Sequence, residues 1–250
     1  MIANRPSSRL KPALDWRQLA GTVLWFMTSA SLAGSFQASP TRLQMTLRER
    51  ATSLQLANTG QETLVLHAEV MRWTQDMQGK DVLEPSNDLV LSPPVVTLAP
   101  GVQQVVRLAR LTPPDPQSPP SYRLILREVA SATDAPATAA GQVPYLLAMS
   151  LPVFISPAQP VRRWHCMPTS STTELMVDCT NEGNVFARVL RVDLGDPARP
   201  SARFSGATYV LPGARQRFVL RAEPDGPATA QTLTLWFDDG SSTTMAIAMP

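Results

Sequence analysis

Twenty-four prolines are scattered along this chain of 250 residues, and the stretches between them are short. A ring-locked φ and a missing N–H stop helices, so this scatter leaves no room for long ones. The stretches themselves alternate apolar and polar residues at the two-residue period of a strand, and most end on Gly, Pro, Asn or Ser. In the first part, strands are expected at residues 39–47, 53–58, 64–73, 88–91, 102–108, 121–129 and 143–155, with a turn at 76–80. Seven short strands in this space predict an immunoglobulin-like sandwich. The polar run Ser156-Pro157-Ala158-Gln159-Pro160 reads as a linker or elbow. Alternation resumes at 161–166, 174–180, 185–194, 207–210, 215–220, 231–237 and 243–248, which predicts a second, smaller sandwich. The expected fold class is all-β, with domains at 36–155 and 161–250. Asn181-Glu182-Gly183-Asn184 has residues that tolerate positive φ and is expected to form a turn.

Aliphatic and aromatic residues make up 44% of the chain and charged residues 17%, a globular balance. The first 35 residues read as an export leader. Arg5, Arg9, Lys11 and Arg17 form a basic start, residues 19–33 are apolar, and Ser31-Leu32-Ala33 or Ala33-Gly34-Ser35 offers a small-residue cleavage site. The apolar run is short for a hydrocarbon core of about 30 Å, so removal is expected rather than anchoring. Without the leader the chain carries 18 basic and 19 acidic residues, and Lys80 is its only lysine. No basic surplus or Lys/Arg cluster interleaved with aromatics remains, so nucleic acid is not an expected partner. Cations built almost wholly from arginine suit bidentate recognition of carboxylates.

Cys166 and Cys179 are the only cysteines, and in an exported chain a pair reads first as a disulfide. They flank the turn-like run Thr169-Ser170-Ser171-Thr172, so a hairpin centred there sets them opposite each other. A bridge closing so short a loop contributes ~3 kcal/mol in the chain-entropy model. Zinc is the alternative, but His165 has only His67 as a second histidine and there is no CxxC pair. Neither histidine has a nucleophile elbow or metal spacing around it, so no enzyme activity, cofactor or small-molecule substrate is expected. Asp238-Asp239-Gly240 reads as an Asp-Gly hairpin turn rather than a calcium loop.

Four segments in order resemble the periplasmic pilus chaperones of the chaperone/usher pathway, a PapD-like superfamily. They are FQASPTRL at 36–43, DLVLSPPVVTLAPGVQQVVR at 88–107, SYRLILREV at 121–129 and LPVFISP at 151–157. The resemblance covers the first domain; the second half matches in pattern alone. It implies a boomerang of two immunoglobulin-like domains that lends a strand to an unfinished pilus subunit and passes it to an outer-membrane usher in the periplasm. The lent strand would satisfy the open sheet edge of the subunit while alternate side chains fill its groove. Val143, Tyr145, Leu147, Met149 and Leu151 form the matching row. Pro144 and Pro152 alternate with that row and mark an edge strand.

By the same resemblance, Arg42 stands where the family has its cleft arginine, which receives the subunit's C-terminal carboxylate. The lysine that usually assists it falls at Pro152, a departure that resembles the archaic branch of the family. Arg123 is the expected substitute, with Arg127 and Arg107 as weaker candidates. The second reading of the chain is an exported structural or adhesive protein of tandem immunoglobulin-like domains, perhaps itself a pilus component.

Overall fold

The computed structural model describes residues 36–129, 146–170, 175–224 and 231–247. Residues 1–35, read above as a leader, and the whole stretch from 130 to 145, including Val143 and Tyr145, lie outside them. Among the described residues the chain forms strands and no helix. None of them forms a helix long and apolar enough to cross a membrane.

Two sheets enclose the first core. One has the order β1 (Phe36–Ser39), β3 (Ala51–Asn58), β8 (Gln103–Arg110), β6 (Leu89–Ser92). The other runs β2 (Leu43–Met45), β10 (Ala148–Ile155), β9 (Ser121–Glu128), β4 (Leu64–Gln75), β5 (Asp81–Pro85), and β7 (Val95–Leu98) pairs with β4. Burial along β4 alternates from Leu64 through Val70, as the sequence pattern requires, and Leu54, Leu56, Leu66, Leu124 and Leu126 are fully enclosed.

The expected opening strand at 39–47 is two strands. Pro40 interrupts it, and the chain crosses from one sheet (β1 on β3) to the other (β2 on β10). Two strands were not legible. Every residue of β5 is exposed, so it has no apolar row, and β7 is a four-residue strand just after Pro93-Pro94.

The second core lies between β11 (Trp164–Ser170), β12 (Leu175–Asn181) and β15 (Arg215–Ala222) on one side and β14 (Arg199–Val210), β13 (Ala187–Asp196), β16 (Thr232–Phe237) and β17 (Ser242–Ala246) on the other. The path turns between them at the short β14–β15 pairing. Cys166 sits opposite Cys179 in the β11–β12 hairpin, and the two are joined as a disulfide. Asp178, 3% exposed, accepts two hydrogen bonds from Arg217 at 2.8 and 2.9 Å and one from Arg215. The Arg217 bonds, helped by Arg215, hold its carboxyl below the usual range although burial opposes this. The stability it contributes is therefore whole above the unfolded-chain value near 4 and is lost as pH falls through the lower folded value. Asp178→Asn is expected to flatten the acid limb of a stability-versus-pH curve below about pH 4, measured by urea denaturation.

The segment 181–184 contradicts its expected backbone: all positive-φ residues among those described are other glycines, Gly183 not included. Gly183 is needed for space. A Cβ there would stand 2.2 Å from the Val161 carbonyl oxygen. The loop grips the 156–163 elbow: the Val161 amide donates to Asn184 Oδ1 at 2.7 Å, and Asn184 Nδ2 donates to the Gln117 and Gln159 carbonyls at 2.9 and 3.0 Å. Gly183→Ala must push this backbone apart and is expected to cost about 1–3 kcal/mol in denaturant unfolding.

Candidate functional site: an open strand edge beside a basic cleft

The edge of β10 follows from its register. The Glu128 amide donates to the Leu147 carbonyl at 2.9 Å, and the ladder continues through Met149↔Leu126 and Leu151↔Leu124. In an antiparallel ladder every second residue directs both backbone groups at its partner, so Leu147, Met149 and Leu151 face β9. Ala148, Ser150 and Pro152 face the other way. On that side β2 pairs in parallel only with Val153, Phe154 and Ile155, and Ser156 N donates to Met45 O at 2.8 Å. Along Ala148–Pro152 no described strand covers the edge. The missing N–H of Pro152 falls on this open side, so the ladder to β9 loses nothing.

Side chains of the row diverge. Leu147 is 37% exposed, Met149 is partly buried against the first core, and Leu151 is 4% exposed inside that core. Val143 and Tyr145 lie outside the described residues.

Phe154 points away from the first core and joins an aromatic cluster with Trp73, Phe186 and Tyr209. Phe154 stacks on Phe186 at 3.4 Å, and Trp73 meets Tyr209 edge-on at 5.5 Å. Gln75 fixes the same junction by donating to Tyr209 O and accepting from the Leu211 amide, both at 2.9 Å. This buried junction sets the second core against the sheet that carries the open edge.

Arg42, immediately before β2, enters a cleft of ≈ 230 Å³ beside that junction. Its Nη1 meets Asp238 Oδ2 at 2.5 Å, and its Cζ stands 5.7 Å from the Phe186 ring centre. Burial works against the Arg42 charge, yet Asp238, with help from Tyr209, more than offsets it and keeps the guanidinium above its ordinary value. Arg162 pairs with Asp239 at 2.5 Å. Arg162, with Ser241, holds the Asp239 carboxyl well below the usual carboxylate range.

Arg123 lies opposite Pro152, away from this lining. It pairs with Asp81 at 3.1 Å and stacks 3.6 Å over Trp73. Arg127 pairs with Glu69 on β4, and Arg107 is exposed on β8. Sequence reasoning missed Asp238, Phe186 and Arg188 as cleft residues. Asp238 was read only as part of a turn, and nothing local shows that this turn faces Arg42. Among the described residues there is no His/Cys/Asp/Glu group that could hold a metal ion.

Two β-sandwiches joined by an aromatic junction, with the edge of β10 uncovered at Ala148–Pro152 and a basic cleft beside it, define a two-domain β-sandwich protein. The profile of the pili and flagellar-assembly chaperone family, PapD N-terminal domain, matches residues 35–160, half of the chain, and the chain belongs to that family. It is a family of non-enzymatic pilus-assembly chaperones.

Solved structures share the fold. The complex of CsuC with the tip adhesion subunit CsuE, from archaic chaperone-usher Csu pili of Acinetobacter baumannii, matches at 22% identity with a TM-score of 0.62, covering 85% of this chain and 98% of that one. The CupB2 chaperone of Pseudomonas aeruginosa matches at 18% identity and 0.55, covering 85% and 100%. The Salmonella enterica SafA pilin in complex with the SafB chaperone matches at 14% identity and 0.56, covering 87% and 98%. No curated protein sequence matches the chain.

Proposed function

We propose that this protein works in the periplasm, after loss of a leader at about residues 1–35, as a chaperone that holds pilus subunits by lending them the edge of β10 and delivers them to an outer-membrane usher. Its division into a chaperone domain at 36–155, a linker at 156–160 and a second domain at 161–250 belongs to the same reading, as does placement in the archaic branch.

The observation that carries the proposal is the uncovered edge at Ala148–Pro152 with an apolar row beside it. A client strand added there occupies the lane that β2 takes further on. If it runs parallel to β10, as β2 does, it ends against the start of β2, where Arg42 stands. A chain end arriving there brings a carboxylate to a partly buried guanidinium, a charge-assisted contact that fixes register. Leu147 and Met149, preceded by Val143 and Tyr145, fill the client's groove, while Leu151 seats the strand in its own core. Backbone pairing supplies affinity and the side-chain row supplies selectivity.

The alternative of a structural or adhesive subunit has no comparable support, because the profile match is to chaperones. The test is co-expression of the full chain, leader included, with a pilus subunit. A one-to-one complex recovered from the periplasm is expected; a subunit that degrades or aggregates equally with and without this protein removes the proposal.

A further inference from the structure

The start of the open-edged strand is held by a side chain. Leu147, the residue before β10, faces Glu128, the last residue of β9. In a regular antiparallel rung of this kind the two residues exchange two backbone hydrogen bonds. Here the Glu128 amide donates to the Leu147 carbonyl at 2.9 Å, while the Leu147 amide donates to Glu128 Oε2 at 3.0 Å. The carboxylate takes the second bond and carries the fixed part of the chain one residue beyond the ladder that begins at Ala148↔Arg127.

That residue matters because of what it carries. Residues opposite each other in a rung send their side chains to the same face, so Glu128 follows the buried Leu124 and Leu126 along β9 and stands beside the row of Leu147, Met149 and Leu151. Leu151 is enclosed and Met149 is partly so, whereas Leu147 is 37% exposed and its neighbour Leu146 is 54% exposed. Leu147 is thus the member of the described row that a client can cover most fully. A residue ordered before its partner arrives spares the association that ordering cost.

We propose that Glu128 is a positioning residue for subunit capture: its carboxylate holds Leu147 in register in the free protein, so that the row is set before a client arrives. The inference rests on the strand-lending reading above and adds the residue that prepares the strand for lending. The role requires an acceptor oxygen at the reach of a glutamate side chain, and it is separable from charge. Glutamine keeps that oxygen at the same reach, aspartate keeps the charge but is one methylene too short, and alanine keeps neither. A carboxylate makes the stronger, charge-assisted form of the bond, so glutamine restores most of the effect rather than all of it.

The test sets the full wild-type protein and a variant, differently tagged and co-expressed, in competition for a limiting amount of the pilus subunit that the wild type captures. Glu128→Ala and Glu128→Asp are each expected to recover about 5- to 30-fold less subunit than wild type, and Glu128→Gln to stay within about threefold of it. Hydrogen exchange on the free proteins supplies the reading that a merely structural role does not move: the Leu147 amide is expected to exchange faster in the alanine and aspartate variants and to stay slow in the glutamine variant, while the Met149 and Leu151 amides and the urea midpoint keep their wild-type values. If the alanine variant does not fold, aspartate against glutamine decides. Wild-type recovery by the aspartate or alanine variant, or loss of recovery in the glutamine variant with its Leu147 amide still slow, overturns the inference and leaves strand lending intact; failure of wild type to capture any subunit overturns both.

Discussion

Leu147→Glu is expected to reduce capture of a pilus subunit by at least about a hundredfold while the free protein stays folded. Leu147 lies at the entrance to β10 and is 37% exposed, so solvent hydrates a carboxylate there in the unbound protein. Once a client closes over the row, the same carboxylate is buried in an apolar groove without a partner, which costs several kcal/mol. Glu128 lies across the ladder and its carboxylate accepts the Leu147 amide at 3.0 Å, so the new charge also meets a like charge, worth up to about 1 kcal/mol. Met149→Glu is expected to abolish capture too, but Met149 packs against the first core, and its loss mixes folding with binding. Leu147 separates the two. Affinity purification of a co-expressed subunit, beside urea denaturation of the free variant, measures both effects, and wild-type recovery of subunit would remove Leu147 from the interface.

The second large effect falls on stability. Asp193→Ala is expected to destabilise the protein by about 3–5 kcal/mol. Asp193 is fully buried on the outer face of the second sandwich, opposite the core-facing Val192 and Leu194. It accepts from Arg203 Nε at 2.6 Å and from Trp236 Nε1 at 2.8 Å, with Arg191 Nε 3.0 Å away. Arg191 also lies over the Trp236 ring at 4.3 Å. Removing the carboxylate strands two guanidinium groups and an indole N–H together. Denaturant midpoints at constant slope report the loss, and a change under about 1 kcal/mol would show that solvent replaces the carboxylate cheaply.

These residues show what was legible in the sequence. Strands with one buried face announced themselves, because burial every second residue is written directly into patterns such as that of β4. The Cys166–Cys179 bridge was legible for the same reason, since a hairpin's centre fixes which residues face each other. The all-exposed β5 has no such signature, and alternation marked β13 without revealing its register shift between Val189 and Arg191. The candidate site divides the same way. The edge strand and Arg42 could be read from alternation, proline placement and family likeness. The Arg42–Asp238 pair joins residues 196 positions apart, so no local pattern shows it. Arg123 lies beside β10 as expected, but its pairing with Asp81 was not legible because Asp81 belongs to the unread strand β5.

The central claim is that the outer edge of β10 belongs to the client. Hydrogen exchange at the amides of Ala148 and Ser150 tests it most directly, because their N–H groups point to the uncovered side whereas those of Met149 and Leu151 point to β9. With a captured subunit, both open amides are expected to become protected while the already paired ones change little. Exchange at Ala148 and Ser150 that stays as fast in a proven complex as in the free protein would contradict the claim.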